Sequence, residues 1–471
     1  MPKTSHAPLP LALLAALVLA GCAVTSQHPP ADSPPPAAFQ GSTQWQRLAA
    51  DAAVPEAWWT LFHDPVLDGL QAELVVGNQN LAASLAQVQS ARAALQASNS
   101  VIFPTLSLGA GTTRSATAEN SNGQRTVSNS RSLTANAAWE VDMWGRLAEG
   151  VKVAGASYQA SQADLAALRL SAQATLTQNY LALRTAEAQQ ALLLRTEAAN
   201  QKVLDLTQAR FASGVAAQSD VLQARTQLRS VQAQLADSRA TRAQLAHAIA
   251  VQMGKLPGQF DVSAGAALPE LPPVPALVPS TLLAQRPDIA AARARQVAAY
   301  AQIGIADAAF FPTVDLSASA GYRGASWSNL VSAPNLVWSI GAAVAQPLFD
   351  GGQRRLASAQ ARAAADVATA NYRQAVLTAF QEVEDNLVEF AESGAALALQ
   401  RDALEAAQRN LDIVLAQYRA GTVSYLNVGA AQTSLLSSES SLLSARNRQL
   451  VAASLLLKNL GGRLPTQGNS P

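Results

Sequence analysis

Among 471 residues there is one cysteine, Cys22, and there are four histidines. A single thiol excludes an intrachain disulfide and any zinc site built on cysteines. His6, His28, His63 and His247 are widely separated and lack a carboxylate-rich neighbourhood at ligand spacing, so nothing suggests a metal centre or a histidine-based catalytic set. No GxxxxGK phosphate loop occurs, so the chain does not drive work by hydrolysing nucleotides through that motif. Charged residues are only 14%, aromatics 5%, and the formal net charge is +1, which leaves no electrostatic footprint for nucleic acid. Proline is missing from Met143 to Ser213 and from Gly352 to Ala420. Alanine, leucine, glutamine and serine dominate instead, and small side chains at that density suit closely packed helices better than a bulky globular core.

The proline-free stretches belong to an internal repeat. Ala209–Lys255 and Ala416–Arg463 align without gaps at an offset of 207 (418 − 211): Phe211 faces Tyr418, Gly214 faces Gly421, Asp220 faces Asn427, Thr226 faces Thr433, Leu228 faces Leu435 and Gly254 faces Gly461. Each copy reads as a long helix ending at a glycine, a short turn, and a return helix, about Ser219–Met253 and about Tyr425–Leu460. At about 1.5 Å per residue each outgoing helix would be a rod of roughly 100 Å.

Ahead of each rod the periodicity changes from helical to alternating. Leu106, Leu108 and Ala110 alternate with small or polar residues after Phe103-Pro104, and Leu133, Ala135, Ala137, Trp139 and Val141 do so after a polar loop. The pair returns after Phe311-Pro312, with Val314, Leu316, Ala318, Ala320 and Tyr322, then Leu336, Trp338, Ile340, Ala342 and Val344. Strands of about ten residues with one greasy face match a tilted membrane crossing, although a soluble sandwich would alternate in the same way. Segments Leu61–Ser98, with Leu81, Leu85, Val88 and Leu95 at helical spacing, and Pro287–Ala309 supply shorter helices. Trp58-Trp59 suit core packing or a membrane-interface belt. Glu382, Asp385 and Glu389 share a helix face, as paired acids or as a solvated or lumen-lining stripe.

The organisation is therefore a signal peptide at 1–21, a tether at 22–55, a first repeat at 56–255 (strand pair about 104–141, hairpin about 143–254) and a linker at 256–280. A second repeat at 281–463 (strand pair about 312–347, hairpin about 349–461) and a tail at 464–471 complete it. Lys3 followed by LPLALLAALVLA has the pattern of a secretory signal too short to span a membrane stably. Leu19-Ala20-Gly21-Cys22 resembles the bacterial lipobox, which implies cleavage before Cys22 and lipid on its sulfur and nitrogen. Ala23, rather than Asp, implies sorting to the outer membrane.

Four amphipathic strands cannot close a channel, and open edges are not tolerated in lipid, so other copies must complete the sheet. The duplicated order of helices, strand pair and long hairpin resembles the TolC-like outer-membrane efflux factors, most closely the lipoprotein branch with OprM and NodT. The resemblance covers essentially the mature chain. Its marks are Trp58-Trp59 with Asp64-Pro65-Val66-Leu67-Asp68, Arg286-Pro287-Asp288-Ile289, the Phe-Pro-Thr openings at 103 and 311, and Gly214 followed by Asp220-Val221-Leu222-Gln223-Ala224. It implies an α+β membrane protein: a homotrimer with a twelve-stranded transmembrane β-barrel, four strands per chain, continued by a long periplasmic α-helical barrel. It implies passive conduction of drugs or other small molecules, with no enzyme activity and no cofactor beyond the lipid on Cys22. The partners it implies are a periplasmic adaptor, an inner-membrane RND transporter and outer-membrane lipid, not nucleic acid.

By the same resemblance, Gly214, Asp220 and Gly421 mark the periplasmic tips that meet the adaptor. The bland alternatives are a helix-capping glycine and an acid favoured by a helix dipole. Relatives often carry an acidic ring after the second tip, but here no acid stands between Gly421 and Ser438, leaving Tyr418, Tyr425 and Asn427 as candidates for uncharged pore closure. Type I protein secretion, metal efflux and a structural coiled-coil lipoprotein stand as alternatives; the last leaves the strand pairs unexplained.

Overall fold

The computed structural model describes residue 29 and residues 55–118, 123, 125–265, 267–274 and 286–461. The signal segment, Cys22, nearly all of the tether, residues 119–122 and 124 of the first strand loop, the end of the linker and the tail lie outside the described residues. The chain divides into two compact units. One contains 87–162 and 291–373; the described part of the other contains 55–86, 163–274, 286–290 and 374–461.

The first unit is built on a four-stranded antiparallel sheet, β1 Thr105–Ala116, β2 Val127–Glu140, β3 Thr313–Gly324 and β4 Leu336–Ala345, in the order β1-β2-β3-β4. Register keeps the two faces distinct, because paired residues share a face. Leu106, Ala137, Ala318 and Ile340 form one row, Leu108, Ala135, Ala320 and Trp338 the next, and Ala110, Leu133, Tyr322 and Leu336 a third. This apolar face is bare: Leu106 and Ile340 are each 80% exposed. Among the described residues the outer edges of β1 and β4 have no partner strand.

Where helix meets strand, aromatic and charged contacts fix the junctions. Trp144 stacks on Phe311 at 4.9 Å and donates Nε1 to the Pro312 carbonyl at 2.6 Å, while Trp139 Nε1 donates to the Ile102 carbonyl at 2.8 Å. Arg146, the first residue of its helix, grips Glu140 at the end of β2 through Nε and Nη2.

Seven α-helices are described: α1 Pro65–Gly77, α2 Gln79–Ser100, α3 Arg146–Ala212, α4 Gln218–Gln252, α5 Pro287–Ala308, α6 Gln353–Ala420 and α7 Tyr425–Gly461. The segment from 61 to 98 holds two helices, parted at Asn78. Asn78 breaks it: its Oδ1 accepts from the Asn80 and Leu81 amides, starting α2, and its Nδ2 donates to the Gln252 carbonyl at the end of α4. Leu85 does not join the buried face; it is 48% exposed and Ser84 is buried in its place.

The second unit has an apolar interior to which α1, α3, α4, α6 and α7 contribute. Trp58, Phe62, Leu67, Leu176, Tyr180, Ile249, Leu387 and Leu456 form its largest cluster. Leu192, Leu193, Val231, Leu235 and Leu436 form a second cluster. Trp58 is thus core, fully buried and edge-on to Trp59. Several charged groups of this unit are paired. Glu187 accepts from Arg184 at 2.8 Å and Arg242 at 3.1 Å, and Arg242 reaches Asp261 after α4. Arg286 binds Asp288 at 2.7 Å and Glu382 at 2.8 Å, and Arg448 lies 3.8 Å from Glu389. The acidic stripe on α6 is therefore ion-paired at two of its three positions.

Candidate functional site: the paired helical turns

Both turns of the repeat adopt the same capping geometry. After α3, Val215 N donates to the Arg210 carbonyl at 2.9 Å and Gly214 N to the Phe211 carbonyl at 2.9 Å. After α6, Thr422 N donates to the Gln417 carbonyl at 3.0 Å and Gly421 N to the Tyr418 carbonyl at 3.1 Å. These are Schellman caps, which need a left-handed residue after the helix. Gly214 at φ 74° and Gly421 at φ 80° supply it.

The two turns are fastened to each other. Arg210 extends from the last turn of α3 to the end of α6, where Nη1 donates to the carbonyls of Tyr418 at 2.8 Å and Arg419 at 3.2 Å. Its guanidinium also sits 4.9 Å over the Tyr418 ring. A cation donating to the carbonyls at a helix C-terminus adds to their hydrogen bonding and complements the macrodipole. The Tyr418 hydroxyl lies 3.1 Å from Thr207 Oγ1 on α3, and the Tyr418 and Tyr425 rings meet edge-on at 6.2 Å.

Tyr418 and Tyr425, both 2% exposed, join Val203, Leu204, Val221, Ala224, Leu228 and Val428 in the apolar cluster beneath the turns. Burial and the neighbouring Tyr418 push the Tyr425 hydroxyl up to about 12. Asn427 stands on the surface. Asp220 is half-buried in the first turn of α4, and no described residue takes its carboxylate. A groove of about 850 Å³ runs between α4 and α7 just behind the turns, lined by Leu222, Gln223, Tyr425, Leu426, Gly429 and Thr433 among others.

The structure thus brings Gly214, Gly421, Tyr418 and Tyr425 into one assembly, and places Asp220 and Asn427 on its outer surface at equivalent positions of the repeat. The sequence reading missed Arg210. Its signal was faint: a basic residue in a last helical turn, facing Gln417 across the repeat. Its contact is with residues 208 and 209 positions away. The arrangement can hold two helix ends together through one side chain and present two unlike turns.

The match to known proteins is broad. The family model for outer membrane efflux protein matches residues 70–255 and 278–462. A probable efflux pump outer membrane protein of Pseudomonas putida, TtgC, is 30% identical over 453 residues, covering 95% of this chain and 94% of its own. The pyoverdine export outer membrane protein OpmQ of Pseudomonas aeruginosa is 30% identical over 471 residues, covering 96% of each. The solved structure of the outer-membrane channel OprN superposes with a TM-score of 0.88 at 28% identity, covering 93% of this chain and 99% of that one. With both halves of the repeat inside the family match, the chain belongs to the outer membrane efflux protein family and has its TolC-like outer-membrane channel fold.

Proposed function

We propose that three copies of this chain close one twelve-stranded barrel in the outer membrane, and that solutes leave through its lumen without chemical change. The observation that carries this is the sheet, with its bare apolar face and two unpaired edges. Backbone groups on an open edge are costly in lipid, and four strands enclose no channel. Adding β4 of one copy to β1 of the next, around a closed cycle, satisfies every edge. The long helices of three copies then line the route on the periplasmic side, and the strand loops lie outside.

In this reading the chain is the exit duct of a tripartite pump. An inner-membrane RND transporter supplies the driving force, a periplasmic adaptor meets the turns, and lipid on Cys22 adds an anchor. A relative named for pyoverdine export supports a small organic cargo. Asp220, half-buried and without a described partner, is the docking residue of the first turn; the second turn has Asn427 at the equivalent position and closes the duct by contact. Tyr418 and Tyr425 position that turn from within.

Cysteine substitutions along β1 combined with substitutions along β4 test the closure. Oxidation should give a ladder ending at three chains, whereas a ladder with no intermolecular step overturns the barrel. Asp220→Lys tests the division of labour. It should weaken association with the adaptor by about tenfold, the scale of one charged contact reversed at an interface, and leave the conductance of the isolated trimer unchanged. The reverse pattern would refute a docking role.

A further inference from the structure

The apolar face of the sheet ends in arginine. On β2 the same-face series Trp139, Ala137, Ala135, Leu133 continues to Arg131, and on β1 the series Leu106, Leu108, Ala110, Thr112 continues to Arg114. Thr112 pairs with Arg131 and Asn129 with Arg114, so the two arginines are diagonal neighbours, about 7–8 Å apart at the backbone. Their side chains are long enough to converge on one group. Trp139 and Arg131 are eight residues apart, which is about 26 Å along a strand and about 20 Å along the normal of a tilted sheet, close to the height of a barrel's apolar band. A tryptophan at one border and arginines at the other is the pattern of two interfaces.

Beyond the apolar rows, at the loop end of the sheet, the charged residues described are Arg114, Arg125, Arg131 and Arg323, and no described acid stands with them. Arg131 donates Nη1 to the Ala325 carbonyl, which orders the guanidinium against the β3–β4 loop; its Nε is buried without a described partner, and Nη2 is the donor left for a ligand. The Arg114 side chain is exposed and makes no described contact. Two neighbouring cations with no described acid between them repel, and a shared anion removes that cost.

We propose that Arg114 and Arg131 form a binding site for the phosphate groups of lipid headgroups in the outer leaflet, on the membrane-facing side of the barrel. This rests on the channel reading, which places the strand loops outside. A planar guanidinium matches phosphate in two-point hydrogen bonding, and a headgroup is held where acyl chains lie against Leu133, Ala110 and Tyr322. Arg323 is the internal control: it sits at the same end of β3 but on the opposite face, paired with Ser132.

The test is native mass spectrometry of the detergent-purified assembly with two probes, bisphosphorylated lipid A and the same lipid with its phosphates removed, alongside single-channel recording. The wild-type protein and Arg323→Gln should prefer the phosphorylated probe by at least about tenfold, and the double variant Arg114→Gln, Arg131→Gln should lose that preference while still conducting. Inorganic phosphate at millimolar concentration should leave the preference intact; competition by it would assign the site to free anions and overturn the headgroup reading. An undiminished preference in the conducting double variant overturns the proposal. If the double variant fails to assemble, Arg114→Gln alone reads the same ratio. Absence of conduction from the wild-type protein removes the channel reading itself.

Discussion

Arg210 joins the two halves of the repeat at their turns by donating to helix-end carbonyls in the second half. Such charge-assisted bonds contribute about 1.5–3 kcal/mol, more than the other polar contacts between the turns. Beside it Tyr425 gives a pH signature. In an unfolded chain this hydroxyl titrates near 10; folded, it keeps its proton until about 12. The folded state therefore binds more protons between pH 10 and 12, and stability held fully below pH 10 falls as pH rises through that window. Thermal unfolding of Tyr425→Phe should lose less stability across pH 10–12 than the wild-type protein, and identical losses would refute the assignment. The glycines and tyrosines of the turns were legible in the sequence because the repeat aligns them. Arg210 was not, because its partners are brought near only by packing of α3 against α6.

Among elements, the turns and the sheet face are the parts whose substitution reads most clearly. Gly214 and Gly421 share a left-handed conformation, so a Cβ costs each about 1–2 kcal/mol in strain. Only at Gly421 would that Cβ also meet Arg210, 3.4 Å from Nη2; none of the described residues comes within 4 Å at Gly214. Gly421→Ala should therefore destabilise the turns more than Gly214→Ala in a melting experiment, and equal effects would show that the clamp does not act at the second turn. On the sheet, Ile340→Arg places a charge in the middle of the apolar face and should lower barrel stability by about 2–4 kcal/mol in urea titrations in lipid. Ala343→Arg, on the other face, should have a much smaller effect, and equal losses would contradict the assignment of faces. Strand alternation was readable because its period is fixed by the backbone, and the long helices because proline is absent. The contact of Asn78 with α4 was not, since it depends on the distant end of α4 meeting that side chain. Leu85 was misplaced for a related reason: helical spacing alone does not choose between Ser84 and Leu85, and the packing chooses Ser84.

At the scale of the whole molecule, the repeat makes one chain carry two unlike turns. The first carries Asp220, the second has Asn427 at the equivalent position, and the Arg210 clamp couples them. In the proposed reading, closure and docking depend on the same helix ends, and loosening the clamp is expected to open the duct. Single-channel recording in planar bilayers tests this most directly. The wild-type trimer should conduct weakly, and Arg210→Ala, which removes the clamp without touching the sheet, should conduct several-fold more through the same barrel. Equal conductance in the two proteins would contradict closure at the turns, and no conductance from either would contradict the channel.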